Sequence, residues 1–354
     1  MPNYIVSEKI GHLEYALVDV KEWQEAIFKF IKEESREGWI SEKELFDWRN
    51  LGLENGECHG IICCVVIDEH CRIKGHIFAI CACIKYNDTE YKVSWPVDYY
   101  ISESLRGKGA GKKLLMYLDK NSPNLLLMGG PARTYKIFHS LGWKIDRRID
   151  KYVYIVNPLS YFKKSKSKTF SKISNIIKSA NFLKQCSKKI VHKYKELAQA
   201  STEIDNFVKN NIPKETVIFT RPRDRLKWLV DGLKKFNAKY ILMYDGDDII
   251  GYSVIKLGTS KNGLIEGSIV DIYVTNFLPE YFSQLIDINI SVLKRESVDL
   301  VNIYASYSEL KKILRKKQFN CYGQMNFGIN KKLPSWLDNK DWHITMFESD
   351  YGYR

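Results

Sequence analysis

The six residues Arg106-Gly107-Lys108-Gly109-Ala110-Gly111 carry the clearest chemistry in this 354-residue chain. Glycines at 107, 109 and 111 leave successive backbone N–H groups uncovered. A helix that starts there adds its own unpaired N–H groups and the positive end of its dipole. Such a turn cradles an anion. Two phosphate loops are excluded by spacing. A P-loop needs four residues between its first glycine and a Gly-Lys pair followed by Ser or Thr, but Gly107 and Gly111 enclose three residues and Lys112 precedes Lys113. A dinucleotide fingerprint would place its third glycine at 112, which is lysine.

The flanking segments supply the elements that must position this turn. Val97-Asp98-Tyr99-Tyr100-Ile101 has the apolar and aromatic content of a strand, and Lys112 to Leu118 starts an amphipathic helix. Leu125 to Met128 is a short buried strand, and a helix from Ala132 to Leu141 closes on Gly142-Trp143. An Arg-x-x-Gly-x-Gly turn between strand and helix, followed by that Leu-Gly-aromatic close, resembles the pyrophosphate-binding signature of the GNAT acetyltransferase superfamily. The resemblance implies acetyl-CoA as co-substrate and no metal. It places the N–H groups of Ile101 and its neighbours on the acetyl and pantetheine end. Arg106, Gly107, Lys108, Gly109, Ala110, Gly111 and Lys112 would then hold the pyrophosphate.

The resemblance also implies that an acceptor amine attacks the thioester directly, so a group must take a proton from the ammonium and the thiolate must leave. The acid on the cradle strand is Asp98. It is either the base or a structural device of the fold, because its counterpart Asp271 recurs in a half without the cradle. The family's leaving-group tyrosine falls four residues before the glycine of the helix close, which here is Phe138. Tyr135, one turn earlier on the same face, is the candidate replacement.

The remainder of the chain is a faint repeat. Val97-Asp98-Tyr99-Tyr100-Ile101-Ser102 returns as Val270-Asp271-Ile272-Tyr273-Val274-Thr275, Leu141-Gly142-Trp143 as Lys317-Gln318-Phe319, and Leu45-Phe46-Asp47-Trp48-Arg49 as Arg225-Leu226-Lys227-Trp228-Leu229. The second copy runs Asn276-Phe277-Leu278-Pro279-Glu280-Tyr281 where the cradle should be, with no glycine. The expected fold class is α/β (α+β): two tandem GNAT-like domains, each a mixed, mostly antiparallel twisted sheet flanked by helices. Residues 1–157 form the domain with the cradle, 158–197 a basic amphipathic linker helix, and 198–354 a degenerate domain. In that second half Glu266, Asp271 and Tyr273 are candidates to face an acceptor such as an amino sugar. The Trp-containing boxes and the tail Asp341-Trp342-His343-Ile344-Thr345 make the chain similar to tandem GNAT proteins of bacterial surface-polysaccharide synthesis. Trp48 and Trp228 are equally readable as core aromatics.

From Lys163 to Lys195 the chain has eleven lysines and no acidic residue, which accounts for most of the net charge of +13. Phe170, Ile173, Ile176, Ile177, Ala180 and Leu183 recur there at helical spacing. The stripe would pack on a domain or lie on an anionic membrane surface. Met1 to Val18 carries charges throughout, and no apolar run reaches the length of a membrane span, so a cytoplasmic location, peripheral at the inner membrane face if the stripe adsorbs, is expected. Cys63, Cys64, Cys81 and Cys83 lie in apolar strands without a Cys-x-x-Cys pair and read as buried thiols. The leading function is an acetyl-CoA-dependent N-acetyltransferase acting on a small or lipid-carrier-linked amine. The alternative is a non-catalytic CoA-binding scaffold. A basic helical arm on a tandem acyltransferase fold also resembles the aminoacyl-tRNA-dependent peptidyl transferases, but these do not need the cradle, so nucleic acid is not the expected partner.

Overall fold

The computed structural model of the chain describes residues 3–34, 42–53, 56, 59–164, 190–199 and 201–348. It divides into two compact units that do not follow each other along the sequence. The first takes Met1–Arg147 and Asn326–Asn339, the second Arg148–Met325 and Lys340–Tyr353. The expected stretches 1–157 and 198–354 contain the main part of each unit, but each unit also draws a strand from the other half of the chain.

The first half runs β1 (Tyr4–Ile10), β2 (Leu13–Val18), α1 (Val20–Glu34), α2 (Lys43–Leu51), β3 (His59–Ile67), β4 (Ile73–Tyr86), β5 (Thr89–Ile101), α3 (Ala110–Asn121), β6 (Asn124–Met128), α4 (Ala132–Ser140) and β7 (Lys144–Ile155). Strands β1 to β5 pair antiparallel in chain order, and β6 joins β5 in parallel. Trp23, Ile27 and Ile31 in α1 recur at four-residue spacing and are buried, so this helix lays one apolar stripe on the sheet. Helix α3 closes the other core with Leu114, Leu115 and Leu118, against Tyr15, Phe138 and Trp143.

After α5 (Pro158–Lys164) the second half runs β8 (Lys193–Leu197), α6 (Thr202–Asn210), β9 (Thr216–Phe219), α7 (Arg223–Gly232), β10 (Lys239–Asp245), β11 (Asp248–Thr259), β12 (Ile265–Val274), α8 (Pro279–Arg295), β13 (Leu300–Ala305), α9 (Ser308–Lys316), β14 (Asn320–Ile329) and β15 (Asp341–His343). Strands β10, β11 and β12 pair antiparallel, and β13 joins β12 in parallel, the order of β3 to β6.

The exchange of strands follows from what comes after α4 and α9. Strand β7 leaves β6 and pairs through Asp150–Ile155 with β13 in the second unit. Strand β14 returns to the first unit, where Phe327, Gly328 and Ile329 pair antiparallel with Met128, Leu127 and Leu126 of β6.

The repeat is also local. Helix α4 ends with Gly142 at φ 76°, and α9 with Gln318 at φ 65°. The next residue in each copy donates back to the last turn, Trp143 N–H to Phe138 O at 3.1 Å and Phe319 N–H to Leu314 O at 2.9 Å. This close brings its outer aromatic onto the residue it bonds. Phe138 accordingly packs edge-on against Trp143 at 4.5 Å, and Leu314 occupies the same core position in the second copy.

The basic stripe between the halves, Phe170 to Leu183, lies outside the described residues. Cys63 and Cys64 are buried free thiols. Cys83 is disulfide-bonded, which corrects the expectation of thiols throughout. No helix among the described residues is long and apolar enough to cross a membrane.

Candidate active site

Strand β5 is bulged where it approaches the turn. Phe78 faces Val97 and His76 faces Tyr100, so Ile77 opposes both Asp98 and Tyr99. Asp98 sits at φ 47°, outside the strand region. The described pairing of β5 with β6 stops at Ser94↔Leu125, and from Trp95 to Ile101 the two strands splay. A short 3-10 turn, Glu103–Leu105, then leads to the glycines.

Gly107 and Gly109 take φ of 77° and 80°, where a Cβ would be strained although nothing lies within 4 Å of it. Gly111 is required for a different reason, since a Cβ there would collide with the Tyr99 hydroxyl. Gly109 is the N-cap of α3 and provides no side-chain cap, and the first helical bond at that end is Lys113 N–H to Gly109 O at 3.1 Å. The N–H groups of Ala110, Gly111 and Lys112 therefore precede the helical ladder and point out of its positive end. Ala110 is buried and Ile101 half-buried, while Lys108 and Lys112 are exposed beside the turn.

Arg106 is held against the strand rather than over the cradle. Its Nε donates to Ile101 O at 3.1 Å, Nη2 to the Tyr100 hydroxyl at 2.8 Å and Nη1 to Glu103 at 3.2 Å. Tyr100 in turn donates to Glu34 O at 2.5 Å, and Ser102 to the Glu34 carboxylate at 2.9 Å. The last turn of α1 is thus tied to the strand that leads into the cradle, a contact between distant segments that sequence spacing did not mark.

Asp98 forms an ion pair with Arg49 of α2, whose guanidinium is fully buried and lies 5.0 Å from the Phe78 ring. His76 is buried beside it. Burial and Arg49 depress its ring to about 3, so it is neutral at physiological pH. Tyr135 is half-buried against the α3 core, and Phe138 is 1% exposed. Among the described residues no group of three or more His, Cys, Asp or Glu side chains could hold a metal ion.

The second unit repeats the splay and fills it with its own chain. Strand β12 has its bulge at Val270, and its parallel pairing with β13 ends at Ile269↔Ile303. Beyond that point Phe347 N–H donates to Val270 O at 3.0 Å, His343 Nε2 meets Ile272 O at 2.8 Å, and Ser306 N–H donates to Ile344 O at 3.2 Å. Phe277 stands where the cradle would be. Its ring is 4.8 Å from His343, 5.0 Å from Tyr273 and 5.3 Å from Tyr307. Pro279 at the start of α8 has no N–H to offer.

This burial corrects two of the acceptor-facing assignments. Asp271 and Tyr273 are both 0% exposed. Asp271 takes Arg221 Nε at 2.8 Å, the Tyr252 hydroxyl at 2.7 Å and the Thr345 hydroxyl at 3.0 Å, and Arg221 also donates to Glu348 at 2.9 Å. These contacts leave Asp271 no surface for a substrate. Glu266 is half-buried and accepts from Asn302 at 3.2 Å. In both copies the acid of the bulged strand is paired with a buried arginine, Arg49 or Arg221.

A bulged, splayed strand thus feeds an uncapped glycine turn at a helix N-terminus, and comparison with known proteins bears on the fold. The model of the acetyltransferase (GNAT) family matches residues 17–124. The fold is a GNAT fold in two copies. No curated protein matches the chain. Among solved structures, the GCN5-related N-acetyltransferase of Anabaena variabilis is similar at 13% identity, with 89% of this chain and 72% of that chain covered and a TM-score of 0.60. The N-myristoyltransferase of Saccharomyces cerevisiae with bound myristoyl-CoA is similar at 12% identity, with 94% and 89% covered and a TM-score of 0.57. A tandem GNAT protein from the clavulanic acid biosynthesis pathway is similar at 11% identity, with 91% and 99% covered and a TM-score of 0.51. At such identities the likeness is one of fold.

Proposed function

We propose that the chain is an acyltransferase that moves the acetyl group of acetyl-CoA to a primary amine, with an amino sugar, free or carrier-linked, as acceptor in surface-polysaccharide assembly. The observation that carries this reading is the cradle. Uncapped N–H groups at the start of α3, two glycines in left-handed conformation and a splayed strand beside them suit a pyrophosphate followed by a pantetheine arm.

The neutral amine nitrogen attacks the thioester carbonyl, forming the C–N bond. The tetrahedral intermediate then collapses with loss of the C–S pair to the CoA thiolate, and the nitrogen's extra proton passes to the thiolate or to water. Positioning of the two reactants provides a large part of such a rate. A thiol with pKa near about 8.5 leaves without a strong acid. Titration of acetyl-CoA into the wild-type protein and into a Gly109→Trp, Gly111→Trp variant tests the reading. Binding that the variant loses supports it, and release of CoA with an amino sugar completes it.

A second reading, a CoA-binding scaffold without turnover, is favoured by the state of the candidate acid and base. Asp98 is engaged by Arg49, and the leaving-group position is the core residue Phe138. On that reading CoA binds but no amine in a broad panel releases it.

A further inference from the structure

The short turn between β5 and the glycines folds Arg106 back onto the strand it follows, and the register shows which groups of that strand it meets. Ser102 N–H donates to Lys74 O at 2.8 Å, and next to it Gly75 stands opposite Ile101 and His76 opposite Tyr100. In an antiparallel pair the backbone groups of successive residues turn alternately toward the partner strand and away from it. Ser102 turns toward β4, so Ile101 turns its N–H and C=O away from β4, to the side on which β5 and β6 splay. An extended amide arm pairs with a strand edge of that kind, its donor on the C=O and its acceptor on the N–H.

The Ile101 carbonyl on this side is taken. Arg106 Nε donates to it, and the same guanidinium is fixed at two further points, the Tyr100 hydroxyl and the Glu103 carboxylate. It also lies 5.1 Å from the centroid of the Tyr100 ring. Tyr100 is anchored in turn to α1, where its hydroxyl donates to Glu34 O and its ring meets Phe30 edge-on at 6.0 Å. Two-pronged binding of a phosphate uses adjacent N–H groups of one guanidinium, such as Nε and Nη2. Both are committed here, although the Arg106 side chain is 42% exposed.

We propose, resting on the acyl-CoA reading of the site, that Arg106 is a latch on the splayed strand: it holds the Ile101 carbonyl against the pantetheine arm, which must displace it, and it is not a ligand of the pyrophosphate. Tyr100 is the positioning residue of the latch, and through Glu34 O it ties the latch to the last turn of α1. The consequence is selectivity. A ligand held at the cradle alone leaves the latch closed, whereas one whose arm brings an amide N–H to Ile101 opens it. An uncovered carbonyl on a splayed edge would offer itself to any extended chain.

The test titrates the full-length protein by calorimetry with acetyl-CoA and with ADP, which carries a pyrophosphate without the arm. The ratio of the ADP to the acetyl-CoA dissociation constant reads the arm's share of binding. Arg106→Met frees the carbonyl and should raise that ratio by about threefold to tenfold, the worth of one hydrogen bond, by tightening acetyl-CoA while ADP stays within about twofold. Arg106→Lys keeps the charge without the fork and should move the ratio the same way. Tyr100→Phe removes the hydroxyl that fixes Nη2 and should raise the ratio by a smaller factor. Because Tyr100 acts through Arg106, the double variant Tyr100→Phe, Arg106→Met should match Arg106→Met alone. A loss of ADP affinity of about tenfold in Arg106→Met would make Arg106 a phosphate ligand and overturn the proposal. Equal weakening of both ligands would make it a brace of the turn, and it or an unchanged ratio would overturn the proposal too. A wild-type protein that binds neither ligand would overturn the acyl-CoA reading and the latch with it, whereas the other adverse outcomes leave that reading standing.

Discussion

At the scale of single residues, the identity of Phe138 is set by its place in the helix close rather than by chemistry. It underlies Trp143 in the core, as Leu314 does in the second copy. Phe138→Tyr would put a hydroxyl where no partner awaits it. We expect no gain in turnover and a loss of about 1–3 kcal/mol in denaturant unfolding. Gly111→Ala should lose stability through its collision with Tyr99. Adding Tyr99→Phe should restore part of that loss, a coupling that a double-mutant cycle would read out. Asp98 and Arg49 form a buried ion pair, so Arg49→Met removes the carboxylate's cation and should cost on the order of 3–5 kcal/mol.

His76 bears on pH at the same scale. Its folded value of about 3 lies below its ordinary 6.5, so the unfolded chain takes up a proton that the folded chain refuses. The stability it contributes is present above about 6.5 and is lost as the pH falls toward 3. Its ring already sits between Phe30 and Phe78, at 5.6 and 5.4 Å, which makes His76→Phe a fitting replacement. That variant should show a shallower loss of urea midpoint between pH 6.5 and pH 4 than the wild type.

At the scale of elements, the cradle was legible in the sequence because everything that makes it is local: a strand, three glycines and a helix start within thirteen residues of one another, from Tyr99 to Gly111. The two copies were legible for a similar reason, since strand and helix-close boxes recur in order. What the sequence did not disclose depends on partners far along the chain. Arg49 lies many residues before Asp98, and Glu348 and Thr345 reach Arg221 and Asp271 from the C-terminal segment. Alternation within a strand tells which residues share a face, but not whether a tail covers it, so Asp271 and Tyr273 read as surface and proved to be core. The exchange of β7 and β14 was equally hidden, because a strand's sequence states its period and not its neighbour. A fragment of residues 1–157 lacks Asn326–Asn339 of the first unit. We expect it not to fold alone, which amide spectra of the isolated fragment would show.

For the molecule as a whole, the two splays differ in the glycine turn, which the second lacks. The second is filled by Phe277 and by residues 343–348, so acetyl-CoA is expected to bind in a ratio of one per chain. A calorimetric stoichiometry near two would contradict this. The eleven lysines from Lys163 to Lys195 lead to a further expectation of lysine-driven adsorption to anionic vesicles. That adsorption should weaken as salt is raised, and binding that ignores salt would exclude it.

The exchange of strands also bears on how such a chain can evolve. A duplicated domain that loses its chemistry is ordinarily free to be deleted. Here the first sheet takes Phe327, Gly328 and Ile329 from beyond the second copy, and the second sheet takes Asp150–Ile155 from the end of the first. Removing the second copy would strip a strand from the one that keeps the cradle. With the strands paired this way, the second copy does without the glycines of the cradle, but the first sheet depends on the segment that follows the second copy.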